Sequence, residues 1–164
     1  MIHELSDFER RIVENIRQHG CHINFVYDDE DGDPGFCYSV GFWKTADQPE
    51  AIVFGLSQNV MQFMINETLR KCLDDGLELR DGTVLDGLLE GHSVVARAVH
   101  PSQMTVDYFN SAMWHRRHSG EEGLPNAVQL VWPSAGDGLF PWDEGCSEIV
   151  RQLQPALYRP EFDA

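Results

Sequence analysis

The chain has 164 residues, 42% hydrophobic and 10% aromatic, with 12 Lys and Arg against 27 Asp and Glu for a formal net charge of −15. That length fits one domain with a self-sufficient core, and the apolar content excludes disorder. The charge excludes duplex DNA and anionic lipid as natural targets, because a surface of this sign repels phosphates within the Debye length. The same charge would steer the chain toward a basic partner protein.

Residues 6–19 read as an amphipathic helix. Ser6 and Glu9 have capping-box spacing, Leu5, Phe8, Ile12 and Ile16 recur every three or four positions, and Gly20 is a natural left-handed stop. The period then shortens to two over 21–28 and 36–43, and the acidic, Gly- and Pro-punctuated segment between them implies a hairpin. A calcium loop does not fit there: with Gly32 at the loop's glycine position, Tyr27 and Tyr38 fall where carboxylates are needed. A solvated turn is expected instead.

Residues 51–56 form a third strand. Ser57 caps a helix running to about Asp75, with Val60, Met61, Met64, Leu69 and Leu73 inward. The Gly- and Asp-rich stretch 77–91 reads as a short strand with turns, and 92–100 as a strand ended by Pro101. A helix follows over about 102–117 with Val106, Phe109, Ala112 and Met113 inward, then a strand over 126–132 and a last helix over about 145–154 before a polar tail. No run approaches the ~20 apolar residues of a membrane span. The first seven residues lack the basic and apolar regions of a secretion signal, so a cytoplasmic location is expected.

The common catalytic signatures are missing: there is no G-x-S-x-G, no P-loop and no dinucleotide-binding G-x-G-x-x-G. Cys21, Cys37, Cys72 and Cys146 lack ligand spacing, so neither a metal nor a disulfide is expected. His115 and His118 end a helix together with Arg116 and Arg117, where cations complement the macrodipole better than they would hold a metal. Glu50 after Pro49 and Asp143 after Trp142 are carboxylates whose surroundings could perturb their acidity. Tyr38, Trp132, Phe140 and Trp142 belong to an aromatic set near the loops, suited either to a core or to a binding site.

The ordered segments FCYSVGFW, QPEAIVFGLS and NAVQLVWP followed by GLFPWDEG resemble a bacterial family known as domain of unknown function 4262. The resemblance spans roughly 21–145 and rests on Tyr38-x-x-Gly41, on Pro49-Glu50, and on Gln129-x-x-Trp132-Pro133 with Phe140-Pro141-Trp142; Ser39 stands where Thr is usual in that family. It implies a fold and a site region but no activity.

The expectation is a single α+β domain over 1–164: an N-terminal helix over 1–20, a family-like core over 21–145, and a C-terminal helix and tail over 146–164. Its sheet should be curved and largely antiparallel, split-barrel-like in its most specific form, with flanking helices. The candidate site residues are Tyr38, Glu50, Trp132, Phe140, Trp142 and Asp143, expected to converge on one face, with no cofactor. The expected function is a non-catalytic module engaging a basic protein, of an immunity or regulatory type. The alternative is a small-molecule pocket or enzyme site between the Tyr38 strand and the Phe140–Asp143 loop.

Overall fold

The computed structural model describes residues 4–28 and 33–160; the turn expected at 29–32 lies outside the described residues. The helices begin where the caps stand. Ser6 Oγ accepts from Glu9 N at 3.1 Å while Glu9 Oε1 accepts from Ser6 N at 2.9 Å, and α1 (Asp7–His19) stops at left-handed Gly20. After it come β1 (His22–Asp28), β2 (Asp33–Val40), α2 (Phe42–Ala46), β3 (Glu50–Phe54) and α3 (Gln58–Asp74), the last capped by Ser57. The chain continues through β4 (Val84–Leu89), β5 (His92–Ala98), a 3₁₀ turn at Pro101–Gln103, α4 (Val106–His118), β6 (Ala127–Val131) and α5 (Glu148–Leu153).

The six strands form one sheet in the order β1-β2-β3-β6-β5-β4, antiparallel at every junction except the parallel β3–β6 pair. This is the expected α+β, largely antiparallel arrangement. The sheet stays open, with β1 and β4 as its edges, and does not close into a barrel.

Helix α3 covers one face. There Met61, Met64, Ile65 and Leu69 join Cys37, Val53, Ala96, Leu130 and Trp132 in one core cluster. Helices α1 and α4 cover the other, where Ile12, Ile16, Phe109 and Ala112 pack on Tyr38, Val40, Ile52 and Phe54. Strands β3 and β6, covered on both sides, bury every residue and therefore read as continuous apolar runs rather than alternating ones.

Four local expectations change. The strand read over 36–43 stops at Val40. Gly41 turns the chain at φ 104°, a conformation open to glycine, and a Cβ there would meet Ile16 Cγ1 at 2.9 Å. Second, Val60, Leu73 and Val106 have helical spacing, yet they sit at the rims of their inward faces and are exposed. Third, the helix expected from 102 begins only at Val106, after the 3₁₀ turn, and α5 is shorter than 145–154. Fourth, the polar tail does not leave the domain. Gln129 donates Nε2–H to Pro155 O and accepts from Leu157 N, and His100 N donates to Leu157 O, laying residues 155–157 across the sheet with Leu157 buried.

Trp132 joins these parts. Its Nε1 donates to Phe54 O at 2.7 Å, and its backbone N and O both pair with the Gln154 side chain at 2.9 and 2.8 Å. Trp132→Ala is expected to cost roughly 3–5 kcal/mol, as for other buried aromatics. Denaturant unfolding measures this, and a loss below about 1 kcal/mol, within the range of ordinary surface substitutions, would show that the indole is not part of the core.

Candidate functional site

Glu50 opens β3 with its carboxylate sealed inside the protein, at 1% exposure. Oε1 accepts from Ser39 Oγ at 2.7 Å and from Phe42 N at 3.0 Å, and Oε2 accepts from Gly41 N at 2.8 Å. Ser39 Oγ in turn accepts from Ala51 N at 2.9 Å. The carboxylate thus satisfies the backbone donors left by the Gly41 turn, which would otherwise be buried unpaired. Burial pushes its pKa up, while the three donors pull it down, leaving it at about 7.

Tyr38, also 1% exposed, accepts at its hydroxyl from Asn24 Nδ2 at 3.1 Å and from Ser111 N at 2.8 Å. The second bond accounts for a kink. Phe109 leaves helical geometry at φ −133° and ψ 26°, and the Ser111 N–H nearby is taken by the phenol, a side-chain insertion of the kind that bends helices.

His115 lies buried further along α4, its Nδ1 accepting from Trp43 Nε1 at 3.2 Å. Burial, and then Lys44, His118 and Arg116 nearby, lower its pKa to about 4. It is neutral at pH 7, so the cations complementing the helix end are Arg116 and Arg117 rather than His115. The thiols of Cys21 and Cys37 are pushed up to about 12 by burial, and that of Cys72 to about 11. These are protonated and poorly nucleophilic.

The expected site residues fall in three places. Tyr38 and Glu50 are interior groups around the β2–α2 turn. Trp132 is core. Phe140, Trp142 and Asp143 form a half-buried loop in which the two rings stack 5.0 Å apart and Asp143 Oδ2 accepts from Phe140 N at 2.9 Å.

Backbone register shows the separation. Asn24, Tyr38, Ile52, Gln129 and Arg97 occupy one row across five strands. At about 4.8 Å per strand, Tyr38 stands roughly 14 Å from Arg97. Trp142 rests on the Arg97 guanidinium at 4.7 Å, and the 155–157 segment held by Gln129 crosses the row between them.

Two surface clefts stand out. One, of about 340 Å³, lies between the Trp142 loop and the chain after α5, lined by Trp142, Arg151, Tyr158 and Arg159 among others. The other, of about 270 Å³, sits at the hairpin end of the sheet and is walled by Tyr27, Phe36, Phe54 and Tyr108. Its rings form a connected group, with Phe36–Phe54 centroids 4.9 Å apart and Phe36–Tyr108 5.7 Å. Neither Tyr27 nor Tyr108 stands out in the sequence. Only the strand register, with Val26 opposite Phe36 and Phe36 opposite Phe54, brings the first wall together.

The chain belongs to the family described as a domain of unknown function (DUF4262), whose sequence model matches residues 15–147. No curated protein and no solved structure matches it.

The Glu50 geometry has a measurable consequence. Between about pH 4.5 and 7 the folded chain keeps this proton while the unfolded chain loses it, so its contribution to stability falls as pH rises, by roughly 3 kcal/mol over the window. Glu50→Gln does not titrate, and its amide N–H₂ would face the Ser39, Gly41 and Phe42 donors, costing roughly 1–3 kcal/mol at pH 7. Unfolding of both proteins across pH 4–8 is expected to give a stability difference that shrinks toward pH 7. A difference constant with pH would overturn the elevated pKa.

Proposed function

We propose that this domain is a non-catalytic binding module that engages a basic segment of a partner protein at the hairpin end of its sheet, as a neutralising or regulatory protein would. The observation that carries this is the aromatic cleft at the end of the sheet where the sequence turns strongly acidic. Of the six residues 28–33, Asp28, Asp29, Glu30, Asp31 and Asp33 are acids and none is a cation. The described ends of the hairpin, Asp28 and Asp33, face each other across β1 and β2 beyond Val26 and Phe36, and the cleft is lined by Val26, Tyr27 and Phe36.

An arginine or lysine stem packs on aromatic faces while its charge is drawn by their quadrupoles, an interaction worth about 0.5–2 kcal/mol. Acidic residues that adjoin the cleft in the sequence add attraction and speed encounter. The state of the reactive groups supports the absence of catalysis in this reading. Glu50 and Tyr38 are committed to structural hydrogen bonds, His115 is buried and neutral, and among the described residues no three His, Cys, Asp or Glu gather to hold a metal.

A short peptide alternating arginine and glycine should bind in a fluorescence or calorimetric titration, more weakly as salt rises. Tyr27→Ala, at a half-exposed position, should weaken it about fivefold without lowering the melting temperature. Equal binding of an aspartate–glycine peptide, or an unchanged affinity in Tyr27→Ala, would overturn the proposal.

A further inference from the structure

We propose that the cleft beside Trp142 is a binding site for a small oxyanion, either phosphate or carboxylate. The chain has only 12 cationic side chains against 27 acidic ones, yet two arginines line this one depression and a third, Arg97, packs on two of its rings. Arg97 stands in the corner of two nearly perpendicular rings, 4.7 Å from the Trp142 centroid and 4.6 Å from that of Tyr158, and its charge is balanced by Asp81 through a 2.9 Å Nε–Oδ1 contact.

The other two are not balanced in that way. Arg151 spends two donors on neutral carbonyls, Nε on Pro141 O at 3.0 Å and Nη2 on Asp143 O at 2.9 Å, which fixes its position and leaves its charge intact. Arg159 is exposed, with its guanidinium 5.8 Å from the Tyr158 centroid, and no carboxylate among the described residues forms an ion pair with either arginine. Of the loop's carboxylates, Asp143 is turned toward Phe140 N and Asp137 toward Leu139 N.

Two guanidinium groups at one cleft, neither ion-paired among the described residues, suit an oxyanion, since the planar fork matches phosphate and carboxylate oxygens. Trp142, with Phe140 stacked on it and Arg97 over it, lines the rest of the cleft together with Pro141, Gln154, Ala156 and Tyr158. At about 340 Å³ the cleft falls at the small end of ligand sites. The site is independent of the hairpin cleft proposed for a basic partner, and its ligand has the opposite charge.

The test is an NMR titration of the full chain with four probes: phenyl phosphate, benzoate, inorganic phosphate and the neutral benzyl alcohol. Saturable shifts of the Trp142 indole and of the Arg97, Arg151 and Arg159 side-chain signals are expected with phenyl phosphate or benzoate, and the stronger of the two identifies the oxyanion. Inorganic phosphate should also give saturable shifts, and benzyl alcohol should give none. Arg159→Ala, at an exposed position, should keep the wild-type melting temperature and bind about tenfold more weakly. Absence of saturation with both ring-bearing anions, equal response to benzyl alcohol, or undiminished affinity in Arg159→Ala would each overturn the proposal.

Discussion

The buried Glu50 carboxylate holds the turn on which the arrangement of this domain depends. A strand running on past Val40 would carry Phe42 and Trp43 beyond the sheet. Instead the chain reverses at Gly41, and the backbone donors released by that reversal point into the interior, where water cannot satisfy them. One carboxylate accepts two of them together with the Ser39 hydroxyl. Ser39 passes the connection to Ala51 N, so the start of β3 and the end of β2 share one polar knot. Helix α2 follows directly, and Thr45 Oγ1 donates to Gly20 O at 2.6 Å, bringing the end of α1 into the same assembly. The motif residues Ser39, Gly41 and Glu50 are therefore parts of a single structural device. Ser39 must both donate and accept, Gly41 must tolerate positive φ and the approach of Ile16, and Glu50 must accept several bonds at once.

Covering both faces of the sheet has a second consequence. Side chains at the middle of β2, β3 and β6 are enclosed, so Tyr38, Ile52 and Gln129 serve packing and internal hydrogen bonding. Binding surface is left to places where the cover stops. The hairpin end is one, because β1 and β2 extend there to Tyr27 and Phe36 beside Tyr108. The Arg97 end of the polar row is another, because β5 there meets the Trp142 loop and the chain after α5 rather than a long helix.

Much of the fold was legible in the sequence because its signals are local. The Ser6–Glu9 box, Gly20, Ser57 and the apolar runs at 51–56 and 126–132 each reflect a bond or burial made within a few residues. The short helix α2 was not legible: FCYSVGFW alternates like a strand through Trp43, and the carboxylate that ends the strand at Val40 comes from Glu50, nine residues beyond Gly41. The candidate site was legible only as residue types. Glu50 drew notice as a carboxylate with perturbed acidity, and its acidity is perturbed, but it has no exposed surface. Phe140 and Trp142 do line or adjoin a cleft, whereas the arginines beside them come from β5, α5 and the chain after α5, positions that no spacing rule links. The tail looked polar because its anchoring groups, Gln154 and the backbone of 155–157, bind through hydrogen bonds to Trp132 and Gln129 rather than through an apolar stripe.

That tail also relates the two clefts. Gln152, Leu153 and Pro155 line the aromatic cleft, while Arg151, Gln154, Ala156, Tyr158 and Arg159 line the arginine cleft. One segment of nine residues is a wall of both, fixed between them by Gln154 on Trp132 and by Gln129 on Pro155 and Leu157. Its two sides differ: aromatic rings on one, and arginines without an ion-pair partner among the described residues on the other. The strongly acidic net charge of the chain therefore conceals a local polarity. Arg151, Tyr158 and Arg159 all lie after residue 147, where the family match ends, whereas Tyr38, Gly41 and Glu50 lie well inside it. The structural knot thus belongs to the matched domain, while the two arginines lining the cleft come from the chain that follows.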